Sequence, residues 1–332
     1  MHVASDSECE EFHRWATLRV QGLGPRGLSA DGGPTQDELL RELRWLSEDA
    51  GLPDARFRGG PSSTSPPPAL VSLRTSLADL KMAWEGRIAD RVPFQYVTAS
   101  AHWRDLVLVV GPGVLCPRPE TERIVDSVEE FLETCEEGLL GLPWADLGTG
   151  TGALAIAIAQ MRKRRAYFVP DELGGGVGVH AVDVSPAALH YAGVNVARHG
   201  LESSGAGGVC LYRGSWFTPL PGALRGKLAG IVSNPPYIPT SELAGLMPEV
   251  QRHEPRVALD GGRDGNEFVR EIAREAVEWL APGGLLMLEV AAGSAHGAAE
   301  ALDEVSLLGP ATTLEDEAGL PRFVCANLLL SR

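Results

Sequence analysis

The chain has 332 residues, 44% of them hydrophobic and 22% charged, which suits a globular protein long enough for two domains. No apolar run approaches the roughly 18 residues of a membrane-spanning helix. The formal charge of −15, from 29 basic and 44 acidic residues, argues against tight nonspecific binding to nucleic acid. Cys9, Cys116, Cys135, Cys210 and Cys325 stand singly, with no Cys-x-x-Cys pair. That pattern reads as free thiols in a reducing compartment, neither a disulfide framework nor a zinc site.

The first ten residues are acidic and lack both an apolar signal core and the Arg- and Ser-rich character of a transit peptide. Thr35-Gln36-Asp37-Glu38 has the form of a capping box, Leu39, Leu43 and Leu46 follow at helical spacing, and Gly51 is a stop. Residues 59–68 are rich in Pro and Ser and read as a flexible insertion. A second helix is predicted with Leu73, Leu77, Leu80, Trp84 and Ile88 on one face. Phe94 to Val97 and Leu106 to Val110 then read as the two strands of a hairpin.

From about Glu122 onward, helical segments alternate with short apolar runs: Trp144 to Leu147, Val177 to Val182, Gly230 to Ser233, Leu285 to Val290 and Arg322 to Leu329. Such alternation implies a parallel α/β sheet with crossover helices. Gly174-Gly175-Gly176, after the basic run Arg162 to Arg165, reads as a solvated loop insertion before the second strand.

Three segments carry chemistry. Asp146-Leu147-Gly148-Thr149-Gly150-Thr151-Gly152 is a glycine-rich turn between a strand and a helix, where glycines permit close backbone approach and the helix start offers free N–H groups. Its G-x-G-x-G spacing differs from the dinucleotide fingerprint G-x-G-x-x-G. Asp183 ends the next strand, where a carboxylate either accepts two ribose hydroxyls or caps the following helix. Trp216, in Gly214-Ser215-Trp216-Phe217, is a candidate cover for a flat base or a core tryptophan.

The third segment, Asn234-Pro235-Pro236-Tyr237, follows an apolar strand. A planar NH2 is a poor nucleophile because its lone pair is delocalised. Methylating it requires two acceptors that bind its N–H bonds and aim the lone pair. The Asn234 side-chain oxygen and the Pro235 backbone carbonyl are such a pair, on a backbone stiffened by consecutive prolines, and the Tyr237 ring offers a face for a planar group.

In this order the segments resemble class I S-adenosylmethionine methyltransferases. Arg91-x-Pro93-x-Gln95-Tyr96, Pro117-Arg118-Pro119-Glu120-Thr121-Glu122, Glu254-Pro255, Gly261-Gly262, Pro282-Gly283-Gly284, Glu289 and Ala318-Gly319-x-x-Arg322-Phe323 narrow the resemblance to the HemK/PrmC release-factor glutamine methyltransferases, from about Arg87 to Val324. Phe94-Gln95-Tyr96 and His102-Trp103-Arg104-Asp105 are closest to the plant and algal branch. The resemblance implies a Rossmann-like, mostly parallel seven-stranded sheet whose last strand is antiparallel. It implies S-adenosyl-L-methionine as cofactor and, as acceptor, the side-chain amide nitrogen of the glutamine in the Gly-Gly-Gln loop of a peptide chain release factor. The matched cofactor positions are Gly148, Thr149, Gly150, Thr151, Gly152, Asp183, Trp216 and Asn234; the matched substrate positions are Asn234, Pro235, Pro236 and Tyr237.

Arg118 and Glu120 belong to a stretch that lies beside cofactor and substrate in the family. Arg118 is a candidate for the methionine carboxylate, with a structural helix-entry role as its alternative. Cys116, Ser215 and Ala291 to Ser294 depart from the family pattern, none at a methyl-transfer position. The domains expected are a helical release-factor-recognition domain at 1–93, a hairpin linker at 94–115 and a methyltransferase domain at 116–332. The protein is expected to be a monomer that binds no membrane and no nucleic acid stably, without a metal. A chloroplast location is expected from the resemblance, with the cytoplasm as its alternative because no transit peptide is seen. Adenine-N6 methylation of nucleic acid and glutamine methylation of a ribosomal protein are the alternative activities.

Overall fold

In this computed structural model the residues described are 2–52, 70–165, 177–202 and 207–330. The predicted insertions at 59–68 and 174–176 lie outside them. The chain forms two compact units, Met1–Ala99 with Leu246–His253, and Ser100–Gly245 with Glu254–Arg332.

In the first unit, strand β1 (His2–Ser5) pairs antiparallel with β2 (Leu70–Leu73), and helices α1 (Asp6–Gln21), α2 (Gln36–Ala50), α3 (Leu77–Glu85) and α4 (Phe94–Thr98) surround a core that includes Phe12, Val20, Leu39, Leu43 and Trp84. The predicted box caps α2: Thr35 Oγ1 accepts the Glu38 N–H at 3.3 Å, and Glu38 Oε2 accepts the Thr35 N–H at 2.8 Å. Gly51 closes that helix at φ 84°.

Two expectations fail in this unit. Leu73 is not on the second helix but opposite His2 in the β1–β2 pair. Phe94 to Val97 is helical, and the hairpin's first strand is β3 (Ser100–Trp103), paired with β4 (Leu106–Val109). Phe94 and Val97 stand three apart and both pack on the first unit's core. A short run of strand-formers is thus overridden by burial on one helical face. The residues that extend the first unit beyond 93, and its share of 246–253, also differ from the boundaries expected above.

In the second unit, α5 (Glu122–Thr134) and α6 (Glu137–Leu140) lead to β5 (Trp144–Leu147), α7 (Ala153–Arg164), β6 (Val177–Asp183), α8 (Pro186–Arg198), β7 (Gly208–Arg213) and β8 (Leu228–Ser233). Helix α9 (Pro248–His253) belongs to the first unit. The second unit resumes with α10 (Glu267–Ala276), β9 (Leu280–Glu289), α11 (Ala295–Asp303), β10 (Thr312–Glu315) and β11 (Pro321–Asn327). Seven strands join in the order β10-β11-β9-β8-β5-β6-β7, with β11 antiparallel to both its neighbours. Every residue of β5 and β8 is buried, as in a parallel sheet covered on both faces. Trp144 lies opposite Gly230, where a Cβ would come within 2.2 Å of its ring. Arg162 to Arg164, expected in a loop, form the last turn of α7, where cations oppose the negative end of the helix dipole.

Strand order reverses between β5 and β8. That places the loops leaving these two strands at a topological switch point, where open α/β sheets bind ligands beyond the carboxyl ends of their strands.

Candidate active site

Register places the site residues at one level. Leu147 pairs with Val182 on one side and Ser233 on the other, so Gly148, Asp183 and Asn234 each stand one step beyond a paired row. Ser233 pairs with Leu288, which brings Glu289 to the same level, and Asp183 pairs with Arg213, just before Gly214-Ser215-Trp216.

A cavity of about 230 Å³ opens there, with Gly148, Thr149, Gly150, Thr151, Asp183, Trp216, Asn234, Pro236 and Arg118 among its lining residues. Gly148, Gly150 and Gly152 have φ of 74°, 56° and 84°, which explains the alternate glycine spacing: each is left-handed, a region costly to side chains. The Gly148 and Thr149 N–H groups donate to the Val182 carbonyl, and the Gly150 N–H donates to Asp183 Oδ2 at 2.9 Å. Asp183 Oδ1 accepts the Ser185 N–H at 2.8 Å. Each carboxylate oxygen therefore keeps further lone pairs for a diol. Burial pushes the Asp183 carboxyl upward against these backbone bonds.

Beneath the loop, fully buried Asp146 accepts from Thr149 Oγ1 at 2.6 Å and from the Ala155 N–H at 3.1 Å, both at Oδ2. Its Oδ1 is buried without a partner among the described residues, and burial pushes the carboxyl up to about 7. Trp216 holds φ 43° and packs on Phe268, ring centroids 5.3 Å apart, so two aromatics share one cavity wall. Phe268 has no local motif around it that singles it out.

Asn234 donates from Nδ2 to Thr121 Oγ1 at 3.0 Å, Thr121 Oγ1 donates to Glu289 Oε2 at 2.6 Å, and the Tyr237 hydroxyl donates to Glu289 Oε1 at 3.1 Å. Glu289 is 1% exposed, and burial, partly offset by those two hydroxyls, lifts its carboxyl to about 7. Thr121 and Glu289 lay inside motifs quoted above, but nothing near either marks it as a partner of Asn234.

Not all expected residues line the cavity. Gly152 starts α7 behind the loop, Pro235 is buried, and Tyr237 turns its hydroxyl to Glu289. Glu120 is exposed and away from the cavity, because in the turn Pro119–Thr121 it is Thr121 that is buried. Arg118 reaches the cavity wall, but its guanidinium is ion-paired with buried Glu254, so its charge is already offset.

These residues fit S-adenosylmethionine. The loop admits a ligand against bare backbone, Asp183 keeps lone pairs for ribose hydroxyls, the aromatic wall suits a flat base, and the orphaned Asp146 oxygen lies under the loop. The fold and the site define a class I S-adenosylmethionine-dependent methyltransferase. Sequence relatives narrow this further. The release factor glutamine methyltransferase of Gloeobacter violaceus is 45% identical over 85% of this chain and 88% of its own length. That of Thermosynechococcus vestitus is 41% identical over 96% and 98%. The chain belongs to the release factor glutamine methyltransferase family. Among solved structures, the release-factor-specific protein-(glutamine-N5) methyltransferase of Alicyclobacillus acidocaldarius is 26% identical, with a TM-score of 0.36, covering 66% of this chain and 98% of that one. No protein-family model matches the chain.

Proposed function

We propose that this protein methylates the side-chain amide nitrogen of the glutamine in the Gly-Gly-Gln loop of a peptide chain release factor. The observation that carries the reading is Asn234 at the cavity edge with Nδ2 bound to Thr121, which leaves Oδ1 as the acceptor for an incoming N–H. S-adenosylmethionine, when bound, supplies an electrophilic methyl group. The loop from Gly148 to Gly152, Asp183 and Trp216 would hold it. Asn234 Oδ1 accepts one N–H of the glutamine amide, and the carbonyl of Pro235, a buried residue whose backbone runs between the cavity-lining Asn234 and Pro236, accepts the other. Catalysis therefore rests on positioning and on stabilising charge that develops at that nitrogen. The chain need not supply a general base, since an alkylated amide nitrogen bearing an extra proton is strongly acidic.

Among the described residues the cavity lining belongs to the second unit; the first unit exposes Trp45 and Met82, 58% and 70% accessible, and we assign release-factor recognition to it. Replacing both by alanine should raise KM for the release factor and leave cofactor affinity unchanged; an unaltered KM rejects that assignment. No helix among the described residues is long and apolar enough to cross a membrane. Likeness to cyanobacterial relatives favours a chloroplast placement, and a fluorescent fusion of the full-length protein that stays in the cytosol would refute it. A monomer is proposed as the working state, testable by light scattering.

The deciding experiment supplies labelled S-adenosylmethionine with a bacterial-type release factor, its Gly-Gly-Ala variant, and DNA. Label should enter the native factor alone. Asn234→Ala should lower the rate by about 100-fold or more, the scale of losing one positioned polar group at a reacting centre. Label on DNA would turn the reading to adenine-N6 methylation.

A further inference from the structure

We infer that Thr121 and Glu289 are positioning residues that set which end of the Asn234 amide faces the cavity. This rests on the methyl-transfer reading above and adds to it the device that orients the acceptor. Asn234 Oδ1 and Nδ2 are nearly identical in shape, so nothing steric stops the amide from presenting its NH2 group to the substrate. An NH2 there would repel the substrate N–H bonds. The polarity must come from the partner.

That partner is Thr121 Oγ1, 3.0 Å from Nδ2. A threonine hydroxyl has one proton and can either donate to Oδ1 or accept from Nδ2. Here the choice is made by Glu289. An ionised carboxylate only accepts, so the Thr121 proton is committed to Glu289 Oε2 at 2.6 Å, and Tyr237 commits its own to Oε1 at 3.1 Å. Thr121 is left able only to accept, the amide must offer Nδ2 to it, and Oδ1 faces the cavity. The three residues come from the turn before α5, the end of β8 and the end of β9, and are buried or half-buried, so the polarity is set away from bulk water.

The device is sensitive to protons. A protonated Glu289 gains a donor, frees the Thr121 hydroxyl to donate to Oδ1, and removes the preference. The charged groups that act on Glu289 are Glu120, which raises its pKa, and Arg322, which lowers it and is itself bound to Asp316; Tyr237 acts through its hydroxyl, and Arg118 acts on Tyr237. The rate should therefore fall as pH drops below about 7.

The test compares Thr121→Val, Thr121→Ser and Glu289→Gln in the full-length chain. Valine keeps the shape without the hydroxyl and should lower kcat by about 10- to 100-fold, with dissociation of S-adenosylmethionine changed less than about twofold. Serine restores the hydroxyl and should recover most of that loss. Glutamine offers one acceptor and one donor to two hydroxyls, so Glu289→Gln should be slow and should lack the fall in rate below pH 7. Thermal unfolding identifies any variant that is slow only because it fails to fold.

A second readout needs no turnover: the side-chain amide 15N–1H signals of Asn234, assigned by their loss in Asn234→Asp. They should shift in Thr121→Val and return in Thr121→Ser. Unshifted signals in Thr121→Val, or Thr121→Ser as slow as Thr121→Val, overturn the inference. If the wild-type chain transfers no methyl to a release factor, the functional reading fails, while the amide signals still decide the orienting role.

Discussion

Buried carboxylates are handled in opposite ways at Glu249 of the first unit and beneath the cavity of the second, although the second unit also holds a paired one, Glu254 with Arg118. In the first, Glu249 is held by two guanidiniums: Arg87 Nη1 at 2.8 Å, and Arg91 at 2.8 and 2.6 Å. Burial pushes the Glu249 carboxyl up, but the bonds from Arg91 and Arg87 outweigh it and hold it below the ordinary range. Glu42 shares Arg87 and is shifted the other way, because burial there outweighs a single guanidinium. In the second unit, Asp146 and Glu289 are as deeply buried, yet among the described residues neither is ion-paired, and both are lifted to about 7. Charges that hold a structure together are paired, whereas charges left unpaired under a cavity are typical of sites that act on a ligand.

The largest effect should come from breaking the paired set. Glu249→Ala leaves Arg87 with Glu42 and Arg91 with half-exposed Asp31 as their remaining partners. Removing one partner of a buried ion pair costs about 3 kcal/mol. Urea unfolding followed by tryptophan fluorescence should show the loss. A change below about 0.5 kcal/mol, typical of exposed pairs, would erase the contrast between Glu249 and the unpaired carboxylates under the cavity.

Removing an unpaired charge should have the opposite sign. The folded-state pKa of Asp146 is raised, so the stability linked to it is present below the unfolded carboxylate range and is lost as pH rises through about 7. Asp146→Asn keeps an acceptor for Thr149 and Ala155 and has no charge to bury. Without cofactor it should be more stable than wild type by on the order of 2 kcal/mol at pH 8, a gain that shrinks towards pH 5. Melting curves across that range measure it. A variant that is less stable at pH 8 would mean that the charge is compensated.

The left-handed glycines separate backbone cost from ligand cost. Gly150 (φ 56°) bounds the cavity, and Gly24 (φ 74°) lies in the first unit, where an added Cβ would meet nothing within 4 Å. Alanine at either should cost roughly 1 kcal/mol of stability. Only Gly150→Ala should also weaken S-adenosylmethionine binding, by about tenfold or 1.4 kcal/mol in calorimetry. Equal affinities in the two variants would deny the loop its role as a cradle.

What was legible in the chain was whatever depends on neighbours. The alternate glycines, the capping box at Thr35 and Glu38 and the Asn-Pro-Pro-Tyr turn declare themselves over a few residues, because backbone conformation and cap geometry are local. Pairings across the chain did not. Leu73 read as helical because its partner His2 is far away in sequence, and Phe94 to Val97 read as a strand because the core they pack on is assembled from other segments. Thr121, Glu289 and Asn234 meet only through sheet register, and Glu249 finds Arg87 and Arg91 from the far side of the Asn-Pro-Pro-Tyr motif.

The smallest effect should come from a third kind of charge, exposed and answered by backbone. Glu38 accepts from the Thr35 N–H and hydroxyl, both at 2.8 Å, and these bonds hold its carboxyl below the ordinary range. Thr35→Ala removes the cap at the start of α2 but leaves the backbone N–H of residue 35 to Glu38. The loss should be about 0.5–1 kcal/mol, the low end for a cap, because water replaces the missing group. A lowered folded-state pKa contributes stability only above the unfolded carboxylate range, so part of that loss should fade as pH falls below about 4. Chemical denaturation of Thr35→Ala at pH 7 and pH 3.5 resolves the two contributions. A cost of 2 kcal/mol or more at pH 7, the top of the range for caps, would place this exposed box on a par with the unpaired carboxylates of the site.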